Sequence, residues 1–101
     1  MSKLPFLLQP VVELENWTVF LFQYEDETTY HFSGVDKKTE MSLVSLPLYS
    51  INYLDRYGFS LNEKKYVLTG YPTSDRAIID YWLNTFNNSG YIIKDITNEF
   101  V

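Results

Sequence analysis

Trp17-Thr18-Val19-Phe20-Leu21-Phe22-Gln23-Tyr24 is the stretch on which the fold turns. Its aromatic and β-branched residues fit a pleated, half-buried surface better than a helix. Trp17, Val19 and Leu21 fall on one parity, Phe20, Phe22 and Tyr24 on the other. An edge strand facing water alternates apolar with polar, so this strand reads as central and covered on both faces, or as covered on one face with the other meeting a partner. Glu25-Asp26-Glu27 forms a polar tip, and Thr28 to Gly34 returns as a second strand, with Tyr30 and Phe32 on one parity and His31 and Ser33 on the other.

Working outward, Val11 to Leu14 reads as a short separate strand after Pro10. Met41 to Leu46 and Tyr49 to Leu54 each alternate, and Pro47 separates them. Phe59 to Leu61 and Lys65 to Thr69 flank Asn62-Glu63-Lys64, a tight hairpin in which asparagine suits the left-handed position. Gly70-Tyr71-Pro72 breaks the sheet. Thr73 or Ser74 can cap a helix, Asp75 suits its first turn, and Ile78, Tyr81, Trp82, Thr85 and Phe86 recur at helical spacing. Asn88-Ser89-Gly90 stops it, and Tyr91-Ile92-Ile93 reads as a last strand. The expectation is one α+β domain over 1–101: an antiparallel sheet of about five to seven strands packed on one C-terminal amphipathic helix, about 74–87. Residues 1–10, with Pro5 and Pro10, read as an extended arm, and residues 96–101 as a frayed tail.

Composition narrows the classes. With 46% hydrophobic and 18% aromatic residues in 101, one packed core is expected and global disorder is not. The net charge of −5 disfavours direct nucleic-acid binding, and the acidity sits early: residues 1–50 carry seven acids and three bases. There is no cysteine, so disulfides, thiolate metal sites and cysteine nucleophiles are excluded, and a reducing, cytoplasmic setting is expected. The apolar run Phe6-Leu7-Leu8 is too short for a secretory signal, and no stretch reaches membrane-spanning length.

The order of residues also resembles a family of short uncharacterised bacterial and mobile-element proteins. The residues that carry this are Trp17 in an aromatic strand, His31-Phe32-Ser33-Gly34, Met41-Ser42-Leu43-Val44-Ser45, Tyr66-Val67-Leu68-Thr69-Gly70-Tyr71-Pro72 and the helical pair Tyr81-Trp82. The similarity spans about residues 14–88. That family's hairpin carries a glycine and an arginine where this chain has Ser60-Leu61-Asn62-Glu63-Lys64-Lys65-Tyr66, and its helical aromatics are separated where these are adjacent. The resemblance implies a shared fold and no activity.

No constellation for chemistry emerges. His31 is the single histidine and reads as a structural residue between Tyr30 and Phe32, since catalysis and zinc binding need partners. Glu25-Asp26-Glu27 lacks the alternating ligands and the glycine of a calcium loop. Gly70 to Ser74 lacks the glycines and lysine of a phosphate loop. No catalytic, cofactor or metal residues are therefore assigned, and the chain reads as a non-enzymatic protein–protein interaction module, self-association included. Trp17, Phe20, Phe22 and Tyr24 are the candidate interface, because so many aromatics strain the capacity of one small core. A second reading is a mobile-element inhibitor that mimics nucleic acid, with Glu25, Asp26 and Glu27 as its acidic contact patch. A third is a small enzyme centred on His31.

Overall fold

The computed structural model describes residues 11–73, 76–87 and 92–100. Seven strands form one sheet: β1 (Val11–Tyr24), β2 (Glu27–Asp36), β3 (Ser42–Val44), β4 (Leu48–Asn52), β5 (Tyr57–Ser60), β6 (Lys65–Leu68) and β7 (Ile92–Asp95). A helix, α1 (Arg76–Asn87), precedes β7, and a 3-10 turn, Thr97–Phe100, follows it.

The expected α+β arrangement is overturned: this is a β-dominated fold built on a mixed sheet. β1 pairs antiparallel with β2 on one edge and parallel with β6 on the other. Nor does a C-terminal helix close the sheet. α1 meets the body of the fold at β7, and Ala77, Asp80, Tyr81, Asn84 and Thr85 are exposed, Tyr81 to 62%. The C-terminal element that enters the core is the 3-10 turn, through Phe100. Phe100 packs edge-on against Phe32, with ring centroids 5.8 Å apart. The arm at 1–10, the alternative cap Ser74, the first-turn Asp75 and the stop at 88–90 lie outside the described residues.

Val11 to Tyr24 is one strand, where two were expected, and a β-bulge is the reason. The pairs Glu15↔Val35 and Thr18↔Ser33 leave Asn16 and Trp17 opposite Gly34 alone. Asn16 takes a left-handed φ of 47° to make the extra step. The extra residue flips the parity of the strand. Val12 and Leu14 face the core before the bulge, Trp17 and Val19 after it.

The order β3-β2-β1-β6-β5-β4 places β3 and β4 at opposite ends, yet only residues 45–47 join them. Six flat strands would hold their outer members about 24 Å apart. The four residue steps from Val44 to Leu48 reach at most about 14 Å. The sheet must therefore curl until its ends meet. Hydrogen bonding passes across that corner, from Ser45 N to Phe32 O (2.8 Å) on β2 to Leu61 N to Pro47 O (3.2 Å) beside β5. Across the interior, a methyl group added at Gly58 of β5 would lie 3.2 Å from the Phe32 ring of β2. Inside lie Leu14, Trp17, Val19, Phe32, Leu48, Tyr66, Leu68 and Phe100.

The second edge of β1 is served in relay. β6 covers 11–14, and the Thr69 amide and hydroxyl both donate to Leu14 O. Thr73 N donates to Trp17 O, Ile96 N donates to Val19 O, and Val19 N donates to the Thr97 hydroxyl. β7 covers 20–23. A strand buried on both faces has no water for its polar backbone, so this succession supplies the partners its amides and carbonyls require.

Candidate functional site

The structure disperses the expected interface. Trp17, Phe20 and Phe22 are buried, and Tyr24, at the end of β1, is 45% exposed. Trp17 belongs to the core, its Nε1 donating to Gly70 O at 3.3 Å. Phe20 and Phe22 lie on the opposite face from Val19, between β2 and β7, and Phe22 stacks on His31 at 4.2 Å. Between Trp17 and Phe22, β1 is thus covered on both faces, and three of the four aromatics expose 7% of their surface or less. Glu25, Asp26 and Glu27 are exposed at the hairpin tip, where Glu25 adopts a φ of 53°.

His31 organises the corner that closes the sheet. Its Nδ1 lies 2.8 Å from Ser45 O and its Nε2 lies 2.8 Å from the Thr29 hydroxyl. A carbonyl can only accept, so Nδ1 carries the proton, and Nε2 of the neutral ring accepts from Thr29. Ser45 is tied to β2 twice more: its amide donates to Phe32 O, and its hydroxyl accepts from Phe32 N at 3.0 Å. Hydroxyl, imidazole and carbonyl thus follow in the order of a nucleophile, its base and an orienting group. Thr29, however, is half-buried in a strand, and a nucleophile also needs a space where a substrate and its oxyanion donors converge. The groove lined by Val11, Val12, Glu13, Asp36, Lys37, Lys38 and Lys64, of about 420 Å³, lies by the opposite end of β2. The arrangement supports a latch.

Burial holds the His31 pKa below its ordinary 6.5, the Ser45 carbonyl opposing this in part. The sign follows directly. Below pH 6.5 the unfolded chain takes up a proton that the folded chain resists, so stability is full above that pH and falls as pH drops through the folded value. We expect wild type to lose up to about 1.4 kcal/mol per pH unit in this window relative to His31→Gln, as measured by urea unfolding from pH 7 to 5. Parallel pH profiles for the two proteins would refute the latch's titration.

A surface that the sequence did not single out lies outside β4, β5 and β6. Tyr49 is 61% exposed and stands 6.5 Å from Phe59, centroid to centroid. Tyr57 meets Phe59 edge-on at 5.8 Å. The Lys65 ammonium lies over both rings, 4.4 Å from Tyr57 and 5.9 Å from Phe59. Strand alternation puts these side chains outward, opposite Gly58 and Tyr66, and a cation over two rings holds them in place. The signal available was Tyr57-Gly58-Phe59 and Lys65-Tyr66-Val67, two alternating runs whose facing register only the hairpin supplies. The neighbouring groove is zwitterionic: Lys37 pairs with Glu13 (3.5 Å) and Glu15 (4.0 Å).

Among the described residues no cluster of three or more His, Cys, Asp or Glu could hold a metal ion, and no helix is long and apolar enough to cross a membrane. Comparison with known proteins returned no matching family model, no matching curated protein and no matching solved structure.

Proposed function

We propose that this chain is a non-enzymatic interaction module that engages a protein partner through the aromatic face of Tyr49, Tyr57 and Phe59, ordered by Lys65. The observation that carries this reading is the exposed Tyr49 beside two half-exposed rings on a rigid sheet. Aromatic anchors on a preorganised surface are where interface energy concentrates. A protein partner fits better than a nucleic acid, because the lysines of the adjacent groove are balanced by Glu13, Glu15 and Asp36. A cysteine-free chain suits a cytoplasmic partner.

The test is a photo-crosslinking residue placed at Tyr49 and, as control, at the exposed Thr85 of α1. A discrete adduct from position 49 and none from 85 is the expected result. Tyr49→Ala should then weaken that complex by about tenfold or more with little change in melting temperature. Equal yields from the two positions, or no adduct from position 49, would remove the reading.

A further inference from the structure

We propose that two copies of this chain associate edge to edge through β2, pairing residues 27–31 antiparallel about a twofold axis at Thr29. This deepens the self-association part of the module reading, and it uses a different surface from the aromatic face.

The direction of the β2 backbone groups is fixed by its neighbours. Phe32 N and O both bond to Ser45, and Asp36 N bonds to Met41 O, so even-numbered residues turn toward the β3 side. Lys37 N bonds to Glu13 O, so odd-numbered ones turn toward β1. The register from Ser33 to Glu27 against Thr18 to Tyr24 is unbroken, so the alternation continues. The amides and carbonyls of Thr28 and Tyr30 therefore point away from β1. β3 reaches only Ser33, and after Ser45 the chain leaves for β5. No described residue pairs with β2 at 28 or 30. Over 28–31 the edge carries no proline, no lysine and no bulge, three of the usual protections.

A second copy suits this edge by its own register. With Thr29 opposite Thr29 of the second copy, Thr28 faces Tyr30 and Tyr30 faces Thr28, each with donor and acceptor turned to the interface. Two such hydrogen-bonded pairs give four backbone bonds. The threonines form a favourable cross-strand pair, no like charges are opposed, and Glu27 falls opposite His31. An isologous contact of this kind closes at two chains. Shifting the register by one residue sets outward groups against inward ones, which leaves the edge unsatisfied.

The test is light scattering from about 10 μM to 1 mM, because so few bonds predict a weak pair. Mass should rise from one chain of 11.9 kDa toward two. Thr28→Pro deletes an edge donor without touching the β1 ladder, and should hold the mass at one chain with the melting temperature kept. In unmodified protein, the amides of Thr28 and Tyr30 should exchange more slowly with deuterium as concentration rises, which reads the edge even if the proline variant fails to fold. A single-chain mass throughout overturns the proposal, as does a pair that survives Thr28→Pro or leaves those two amides unprotected. A pair lost on Tyr49→Ala instead would assign self-association to the aromatic face.

Discussion

Trp17→Ala is expected to leave little or no folded protein at 37 °C. Trp17 is fully buried in the core, and removing such a ring costs about 3–5 kcal/mol in transfer and cavity terms. A domain of this size is stable by only about 5–15 kcal/mol. At about 4–8 °C per kcal/mol, the melting temperature should fall by more than about 12 °C, readable by circular dichroism. The position is sensitive for a second reason. Trp17 links segments far apart in sequence: its indole N–H reaches Gly70 O, its carbonyl accepts from Thr73 N, and the Arg56 guanidinium stands 5.8 Å from its ring. Trp17→Phe keeps most of the volume and loses the indole donor, so it should cost far less, with about 1 kcal/mol from the hydrogen bond. Equal losses for Ala and Phe would show that the indole N–H, and not ring volume, dominates.

Gly34→Ala is expected to be nearly as damaging, by an opposite mechanism. The added methyl would sit 2.9 Å from Glu15 O, 3.1 Å from Leu14 Cβ and 3.3 Å from Trp17 Cα. Two of those neighbours are the backbone of the bulge itself, and the third is fixed to it. None can move aside without undoing the turn that aims Trp17 inward, so the cost should reach the upper part of the usual overpacking range, about 3 kcal/mol. Gly70→Ala is the control. Gly70 has a φ of 66° with nothing within 4 Å of an added methyl, so only left-handed strain opposes it, about 1–2 kcal/mol. Chemical denaturation should rank Gly34→Ala well above Gly70→Ala. The reverse order would mean that the bulge yields.

These two residues also mark how far the sequence could be read. Strand content was legible, because the alternations at 28–34, 49–54, 59–61 and 65–69 are local and their turns are polar, although β5 begins two residues earlier, at Tyr57. The β5–β6 hairpin was legible too, although Glu63, with a φ of 62°, takes the left-handed position expected of Asn62. The bulge was not, because Glu15-Asn16 carries the polarity of a strand break and only pairing with β2 turns it into a step within one strand. The parallel pairing of β1 with β6 was hidden for a related reason: it joins residues more than fifty positions apart, with no turn to announce it. The entry of Phe100 into the core was not legible, because a single aromatic near the end of the sequence carries no periodicity that would announce it. Among the site residues, the exposure of the acidic tip could be anticipated from its run of charges, and the burial of His31 from its place between Tyr30 and Phe32. The aromatic face could not, since it arises from side chains on three strands whose register is a tertiary property.

The relay along β1 bears on how the chain is made. Val19 is bonded by Thr97, 78 positions later, and Phe32 waits for Phe100. During synthesis the β1–β2 hairpin emerges ahead of the other strands, with Trp17, Val19 and Phe32 facing solvent until β4 to β6 follow, and the cover is completed only when Thr97 and Phe100 are out. Contacts of such long range slow folding and prolong the exposure of apolar surface. A nascent chain halted between β6 and β7 would leave Val19 N without Thr97, β1 without its partner over 20–23 and Phe32 without Phe100, so this domain makes an early claim on whatever guards unfinished chains at the ribosome.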